Sequence, residues 1–398
     1  MTDSINSLVK GSNENYHSDE IMMARQATQS VAANDLPSVL NTLNRLTTVA
    51  NELPKQHIID TINAIQTSDW SQIGDNFIHR KFIGSNGHFL FIAPSRQIRL
   101  GQETTKLTAI CGQQISYKFP PIAIINKTIE DEFDQTCKNP QIIPYKPLAV
   151  AGNAGEKAEA FSVGNGFVLP DSHRGPSLNN MSLQHSRFKT SIRCIQQIFE
   201  PNSADCLLSP LMDEDQDSQH RSVEYSFHDF GHEIGLGLEF KDLHQLLNNP
   251  LAAGVEESRS DGISMHLVTK VLSPVEASKI ITTNICVRLG LDAHRNGGMN
   301  RDADVVASLL NFCHWWDSDE LDIYHGKLRL KNLTPKGLLR LVRPLSEWAI
   351  RLTHQELDLD YPSGLSRLYG GTKVNPAVES IFKGLVLQPC QGFFQNLN

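Results

Sequence analysis

The sequence predicts an α+β protein with a β-containing N-terminal half and a mostly helical C-terminal half. Between about residues 75 and 127, short runs of β-branched and aromatic residues alternate with Gly, Pro, Ser and Asn, a texture typical of strands joined by turns. From residue 183 onward, apolar residues recur mostly at spacings of three and four, the period of an amphipathic helix. The two halves are therefore expected to differ in secondary structure.

The N-terminal elements follow in chain order. Residues 1–20 are polar and poor in large apolar groups, which predicts a disordered lead-in. Helical spacing follows and is interrupted at Pro37 and Pro54, so two helices are expected before residue 55. The predicted strands are residues 77–84, 88–94, 96–100, 106–112 and 122–126, with a hairpin turn at 85–87 because Asn and Gly tolerate positive φ.

Residues 150–182 are rich in Gly, Asn, Ser and Pro, which predicts loops between the β-rich part and the helical part. We therefore divide the chain into the lead-in at 1–20, a domain at 21–150 with a helical pair and a small sheet, and a mainly helical domain at 151–398. Within the helical part, short breaks interrupt the helical spacing of apolar residues.

Composition restricts the partners and the compartment. The net charge of -8 is spread over 398 residues with no dense Lys/Arg tract, so we expect no nucleic acid as partner. No apolar run reaches the roughly 18 residues that span a bilayer, and the N-terminus lacks the pattern of a signal peptide. Seven cysteines without a CxxC pair are typical of reduced thiols. We expect a cytoplasmic protein that does not bind membranes.

The most informative motif is EYSFHDFGHEIG, residues 224–235. Residues i and i+4 share one face of a helix, so His228 and His232 can direct two imidazole nitrogens at a common point. A zinc ion that activates water usually has three protein ligands and one open position. In H-E-x-x-H metalloproteases the acid after the first histidine is the general base, and Asp229 stands in that place.

A candidate third ligand lies in VEESRSDGISMHLV, residues 255–268. Apolar residues recur there at helical spacing, and Glu257 and Asp261 fall four apart on a common face. One carboxylate could bind the metal while the other hydrogen-bonds a ligand.

Together the two segments resemble the gluzincin metallopeptidases. EESRSD is similar to the EE-x-R-A-[DE] helix of the dipeptidyl-peptidase III group, and Gly231 before His232 also matches that group's motif. The resemblance covers residues 225–268 and implies a zincin-like metal site in the helical domain. It implies His228, His232 and Glu257 as metal ligands, Asp229 as general base, Asp261 as the carboxylate that orients His228, and Glu256 as a supporting or reserve ligand.

This chain departs from the group's pattern at two points. The dipeptidyl-peptidase III motif has one more residue between its histidines, whereas His228 and His232 keep the general gluzincin spacing. Asp229 replaces the usual Glu and is one methylene shorter, although a general base must lie within hydrogen-bond distance of the water that it activates.

The stretch FHDFGHEIG is also similar to the LLHDIGH element of HD-domain proteins, in which adjacent His and Asp residues bind metal. This alternative takes His185, His228, Asp229 and Asp261 as ligands. It implies phosphate-ester hydrolysis or a di-iron oxygenation as the chemistry. The pair Glu256 and Glu257, followed by Arg259, fits the gluzincin pattern better.

A later segment could complete the site. In a zincin a His, Arg or Tyr from such a segment commonly donates a hydrogen bond to the developing oxyanion, and His294 and Arg301 are the candidates here. The predicted function is a metal-dependent hydrolase of a peptide or small amide. Zinc is the expected cofactor, with iron or manganese as alternatives. A metal-binding protein without catalysis stays a third hypothesis, and the sequence predicts no oligomeric state.

Overall fold

The computed structural model of the protein describes residues 18–99, 102–115, 122–134, 142–152, 160–162, 177–208, 214–234, 250–288 and 303–354. The fold is α+β, as the sequence predicts. The chain forms two compact units, one from Met1–Lys118 with Lys138–Gln184, the other from Phe119–Cys137 with His185–Asn398.

From Ser18 onward, the described part of the first unit starts with four helices: α1 (Asp19–Ala32), α2 (Leu36–Val49), α3 (Lys55–Thr67) and α4 (Ser71–Ile78). Ser18 caps α1 and Asp35 caps α2, each accepting a hydrogen bond from a backbone N–H in the first turn. The two predicted helices before residue 55 are thus confirmed, while Asp19 and Glu20, the end of the predicted lead-in, are helical. Residues before Ser18 lie outside the described residues.

Within the described ranges, five strands form the sheet of this unit: β1 (His88–Arg99), β2 (Gln102–Gln114), β3 (Ile142–Ala151), β4 (Ala160–Ser162) and β5 (Ser177–Asn180). Their order is β1-β2-β3-β5-β4, with β3 and β5 parallel and the other pairs antiparallel. Pro94 lacks an N–H for a ladder bond but is tolerated, because β1 lies at the edge. The predicted strands at 88–94 and 96–100 are one continuous strand.

Two strand predictions were wrong. Residues 77–84 form the end of α4 and a turn, with one isolated bridge from Ile83 to Phe89. Residues 122–126 begin helix α5 (Ile122–Phe133), which belongs to the second unit. Ile125 and Ile129 are four apart and both pack into the core of that unit, so the apolar run follows a helical period. The turn predicted at 85–87 contains Gly87 at φ 77.

Among the described residues, the second unit contains α5, most of α6 (Met181–Ile198), and the elements that follow α6 in the chain. These are α7 (Pro201–Leu208), α8 (Glu214–Glu233), α9 (Pro250–Val271), α10 (Pro274–Val287), α11 (Ala303–Asp317), the hairpin β6 (Leu321–Tyr324) and β7 (Lys327–Leu330), and α12 (Pro335–Thr353). No helix within the described ranges could cross a membrane.

Helix α9 is the centre of this unit and packs against α5, α8, α10, α11 and α12. Two glycines let neighbours approach it closely. A Cβ at Gly254 would lie 2.2 Å from Val306 Cγ1 of α11, and one at Gly262 would lie 2.5 Å from Ala349 Cβ of α12. With neighbours on several sides, α9 buries polar as well as apolar residues, and those polar residues form the site described below.

A buried histidine in the first unit predicts sensitivity to acid. His57 is 2% exposed, stacks on Phe91, and accepts from the Asn76 amide through Nδ1 at 3.2 Å. Burial lowers the pKa of His57 to about 4, so the unfolded chain takes up this proton at a higher pH than the folded protein. Stability should therefore fall as pH falls from 6.5 to about 4, by about 3 kcal/mol from this group.

His57→Gln keeps an acceptor for Asn76 but cannot take up a proton. Urea unfolding of this variant between pH 7 and 4 should give a shallower decline of the free energy of unfolding than the wild type. His79→Gln, at an exposed histidine of the same unit, should leave the decline close to that of the wild type. An unchanged slope in His57→Gln would contradict the assignment.

Candidate metal centre

Two helices supply the site. In α8, Val223, Phe227 and Phe230 recur at spacings of four and three and pack in one core cluster with residues of α9. This stripe brings α8 against α9, and His228 is buried in the contact. His232 lies one turn further along the same helix, as the spacing predicts.

Three contacts fix the antiparallel register of α8 and α9. Ser264 Oγ donates to the Glu224 carbonyl at 2.8 Å, and one turn earlier Ser260 Oγ donates to the His228 carbonyl. One further turn back on α9, Glu256 Oε1 meets His232 Nδ1 at 3.1 Å. Each step of four residues back along α9 thus corresponds to a step of four forward along α8.

Gly231 allows this close approach. A Cβ at Gly231 would lie 2.5 Å from Ser260 Oγ and 2.9 Å from Ser260 Cα. The second distance involves backbone, which cannot rotate away as a flexible side chain can. Glycine is therefore required here by the helix contact, and both backbones lie near enough for the Ser260 hydrogen bond.

The three predicted ligands converge. Nε2 of His228 lies 3.1 Å from Nε2 of His232 and 3.0 Å from Oε2 of Glu257. His232 Nε2 lies 3.6 Å from the same carboxylate oxygen. Among the described residues, this trio is one of two groups whose His and carboxylate atoms lie close enough together to hold a metal ion.

These spacings fit a small cation with nitrogen and oxygen ligands. Bonds of about 2.0–2.1 Å at tetrahedral angles place two donor atoms about 3.3 Å apart. Tetrahedral zinc would need spacings of that size, and the three observed distances lie on either side of it. The donor set of two imidazoles and one carboxylate also suits iron or manganese.

Carboxylates on α9 orient both imidazoles. His228 Nδ1 lies 2.8 Å from Asp261 Oδ1, and His232 Nδ1 lies 3.1 Å from Glu256 Oε1. A carboxylate only accepts, so each Nδ1 donates its proton outward, and in a neutral ring the Nε2 lone pair is left for a cation. Asp261 and Glu256 thus select the tautomer that metal binding needs.

The second group that could hold a metal consists of Glu224, His228 and Asp261. Its atoms are already engaged by hydrogen-bond donors. Asn284 Nδ2 donates to Glu224 Oε2 at 3.3 Å, and Asp261 Oδ2 accepts from Arg288 Nη1 at 3.0 Å. A metal ion at this group would have to displace those donors, so the first group is the better candidate.

Arg259 is fully buried and holds Glu256 in place. Its Nε donates to Glu256 Oε2 at 2.8 Å, and its Nη2 donates to the other oxygen and to the Gly231 carbonyl. Nη1 donates to Thr353 Oγ1 at 2.8 Å, which ties the network to α12. This two-pronged contact with Glu256 is the geometry in which Arg binds carboxylates most strongly.

The charges of the site follow from these contacts. Burial alone would raise the pKa of Glu256, but Arg259 and His232 outweigh it and lower the pKa to about 2. Burial likewise opposes charge on His228, yet Asp261 and Glu257 raise its pKa well above the usual range. The surrounding carboxylates therefore favour positive charge between the imidazoles, which protons supply in the free protein and a metal cation could supply instead.

The site is accessible from the side of His232 and Glu257. Their side chains are 18% and 15% exposed, compared with 5% for Glu256 and 9% for Asp261. The supporting carboxylates are thus better shielded from solvent than His232 and Glu257.

The other predicted residues are placed as follows. Asp229 lies in α8, directly after His228, and is partly buried. His185 lies in α6, but its side chain is outside the described residues, as are His294 and Arg301 altogether. The serines of the helix contact, together with Arg288 and Asn311, were not predicted from the sequence. Among the residues that support the predicted ligands without a predicted role of their own, only Arg259 belongs to a recognisable motif, EESRSD.

Residues 16–233 match the sequence model of a family described as "Family of unknown function (DUF6014)". The chain belongs to this family. The match includes both histidines and ends before the helix that carries Glu257. No curated protein matches the chain.

Among solved structures, the chain is similar to "Structure of DPP III from Caldithrix abyssi", with a TM-score of 0.64 and 12% sequence identity. The similarity covers 91% of this chain and 70% of that chain. This DUF6014 protein therefore has a DPP III-like fold. The fold agrees with the family resemblance of its two motif helices, α8 and α9.

Gly231→Ala tests the helix contact. Alanine by itself favours a helix over glycine by about 1 kcal/mol, but its Cβ would overlap the Ser260 backbone. We expect a net loss of about 1–3 kcal/mol in the free energy of unfolding, measured by urea denaturation. A variant as stable as the wild type, or more stable, would show that α8 and α9 are less closely packed than described.

Proposed function

We propose that this protein is a metal-dependent hydrolase that binds one zinc ion through His228, His232 and Glu257 and cleaves a peptide or small amide. The observation that supports it most directly is the convergence of three donor atoms within 3.0–3.6 Å of one another. Each histidine among them is also held by a buried carboxylate on its other nitrogen.

A bound zinc ion would supply a Lewis acid and would make water acidic enough to lose a proton near neutral pH. The protein's own contribution begins with Asp229, which we propose as the base that accepts that proton. Asp229 follows His228 in α8 and is partly exposed. His294 and Arg301 remain the proposed donors to the developing oxyanion of the substrate carbonyl.

The DPP III-like fold supports a peptide as the proposed substrate class. The His, His and Glu ligands that the gluzincin resemblance implies are also the three side chains that α8 and α9 bring together here. The substrate of this chain is therefore proposed to be an oligopeptide or an amino-acid amide, and the reaction hydrolysis of its amide bond.

The HD-type alternative needs Asp261 as a metal ligand. Asp261 Oδ1 instead accepts from His228 Nδ1, and Oδ2 accepts from Arg288 and Asn311. With its oxygens bound to N–H donors, Asp261 is better suited to orient His228 than to bind a cation. These contacts favour the gluzincin-type arrangement over the HD-type one.

Metal analysis of the purified protein tests the binding site. We expect about one zinc ion per chain in the wild type and a loss of most of it in His228→Ala and in Glu257→Ala. His266→Ala is the matched control, because His266 lies on α9, like Glu257, but pairs with Glu132 of α5. Absence of stoichiometric metal from the wild type, or unchanged metal in His228→Ala, would contradict the proposal. Loss of metal in His185→Ala but not in Glu257→Ala would favour the HD-type site.

Asp229 separates binding from catalysis. Asp229→Asn should retain zinc and lose hydrolysis of chromogenic dipeptide amides by about 10²–10⁴-fold, because asparagine cannot accept the proton. Metal content and turnover are measured on the same preparation. If neither the wild type nor Asp229→Glu hydrolyses any of these amides, the chain is better described as a metal-binding protein without this activity.

A further inference from the structure

We propose that Asn311 of α11 is a positioning residue of the metal centre, which fixes Asp261 and, through Asp261, the imidazole of His228. This inference rests on the proposed metal site at His228, His232 and Glu257. It adds a residue that belongs to neither motif helix and touches no proposed ligand in the described contacts.

Asn311 and Arg288 together determine which oxygen of Asp261 faces the histidine. Asn311 Nδ2 donates to Asp261 Oδ2 at 2.8 Å, and Arg288 Nη1 donates to the same oxygen at 3.0 Å. Oδ1 is left to accept from His228 Nδ1 at 2.8 Å. Asn311 is 2% exposed, so water does not readily replace it as a donor.

The amide of Asn311 is itself oriented. Ser258 Oγ donates to Asn311 Oδ1 at 2.6 Å, and Ser258 is fully buried. Because a carboxylate offers no proton, the NH₂ end of Asn311 must face Asp261 and the carbonyl end must face the hydroxyl. The chain of hydrogen bonds thus leaves α9 at Ser258, passes through α11, and returns to α9 at Asp261.

A neutral donor suits this position. Arg288 already places one positive charge on Asp261 Oδ2, and its Nη2 lies 3.7 Å from Asp304. A second cation would draw more of the negative charge of Asp261 away from the proton on His228 Nδ1. An amide holds the carboxylate without adding charge, so Asp261 can still increase the basicity of the imidazole.

Without Asn311, Asp261 would keep Arg288 but lose the donor that closes the chain of hydrogen bonds from Ser258. A rotated Asp261 would release His228 Nδ1, and the Nε2 atom would no longer be held toward His232 and Glu257. Losses of a residue that supports a metal ligand in this way typically weaken metal binding about 10–100-fold.

The test uses the full-length protein and zinc alone. Asn311→Leu has a similar shape without the donor. Ser308→Ala is the control, since Ser308 is also buried on α11 and its hydroxyl has no hydrogen-bond partner among the described residues. Competition with a chromophoric chelator should show that Asn311→Leu raises the Kd for zinc about 10–100-fold and that Ser308→Ala changes it less than about twofold. The visible absorption of the cobalt-loaded protein should change only in Asn311→Leu.

A double-mutant cycle separates positioning from general destabilisation. In an Asp261→Ala background, Asn311→Leu should cause no further change in the zinc Kd, because the residue through which it acts is gone. Should Asn311→Leu fail to fold, Ser258→Ala, which frees the Asn311 amide, takes its place in the same cycle. The inference would be overturned if the effects of the two substitutions on the zinc Kd were independent, so that they multiply in the double variant. It would also be overturned if the zinc Kd of Asn311→Leu lay within about twofold of the wild type.

The two proposals fail in different ways. A wild-type protein that binds no zinc would contradict the proposed function itself. A wild type that binds zinc and loses it in His228→Ala, while Asn311→Leu binds as tightly as the wild type, would contradict only the role of Asn311.

Discussion

The antiparallel register between α8 and α9 is the constraint on which the site depends. Ser264 and Ser260 each donate to a carbonyl of α8, one turn apart, and Glu256 meets His232 one turn further on. A shift of one residue would rotate every α9 side chain by about 100° and separate Glu257 from the imidazoles. Gly231 allows the close approach in which the Ser260 contact forms. The convergence of His228, His232 and Glu257 is therefore a property of the helix pair.

The register also makes a buried cluster of charges tolerable. Glu256 and Asp261 are both buried, and buried carboxylates are costly unless charges and hydrogen bonds compensate them. Arg259 compensates Glu256, while Arg288 and Asn311 compensate Asp261. What remains is negative charge directed at the two imidazoles. Positive charge between the imidazoles stabilises this arrangement, in line with the raised pKa of His228. A bound cation would therefore also stabilise the unit.

The sequence predicts those parts of the site that are local in the chain. His228 and His232, like Glu257 and Asp261, are four residues apart, and a helix alone brings each pair to one face. Asn311 and Arg288 could not be predicted, because they reach Asp261 only through the packing of α11 and α10. In the fold, residues 122–126 were read as a strand because a short run of isoleucines fits either period. Only the core contacts of Ile125 and Ile129 distinguish the two.

Anomalous diffraction at the zinc absorption edge, from crystals of the purified protein, is the most direct test of the proposed metal site. We expect one strong peak at about 2.0–2.2 Å from His228 Nε2, His232 Nε2 and a carboxylate oxygen of Glu257. His228 Nδ1 should remain hydrogen-bonded to Asp261 in the same map. A peak bound by Asp229, Asp261 and His185, or no peak near the two imidazoles, would contradict it.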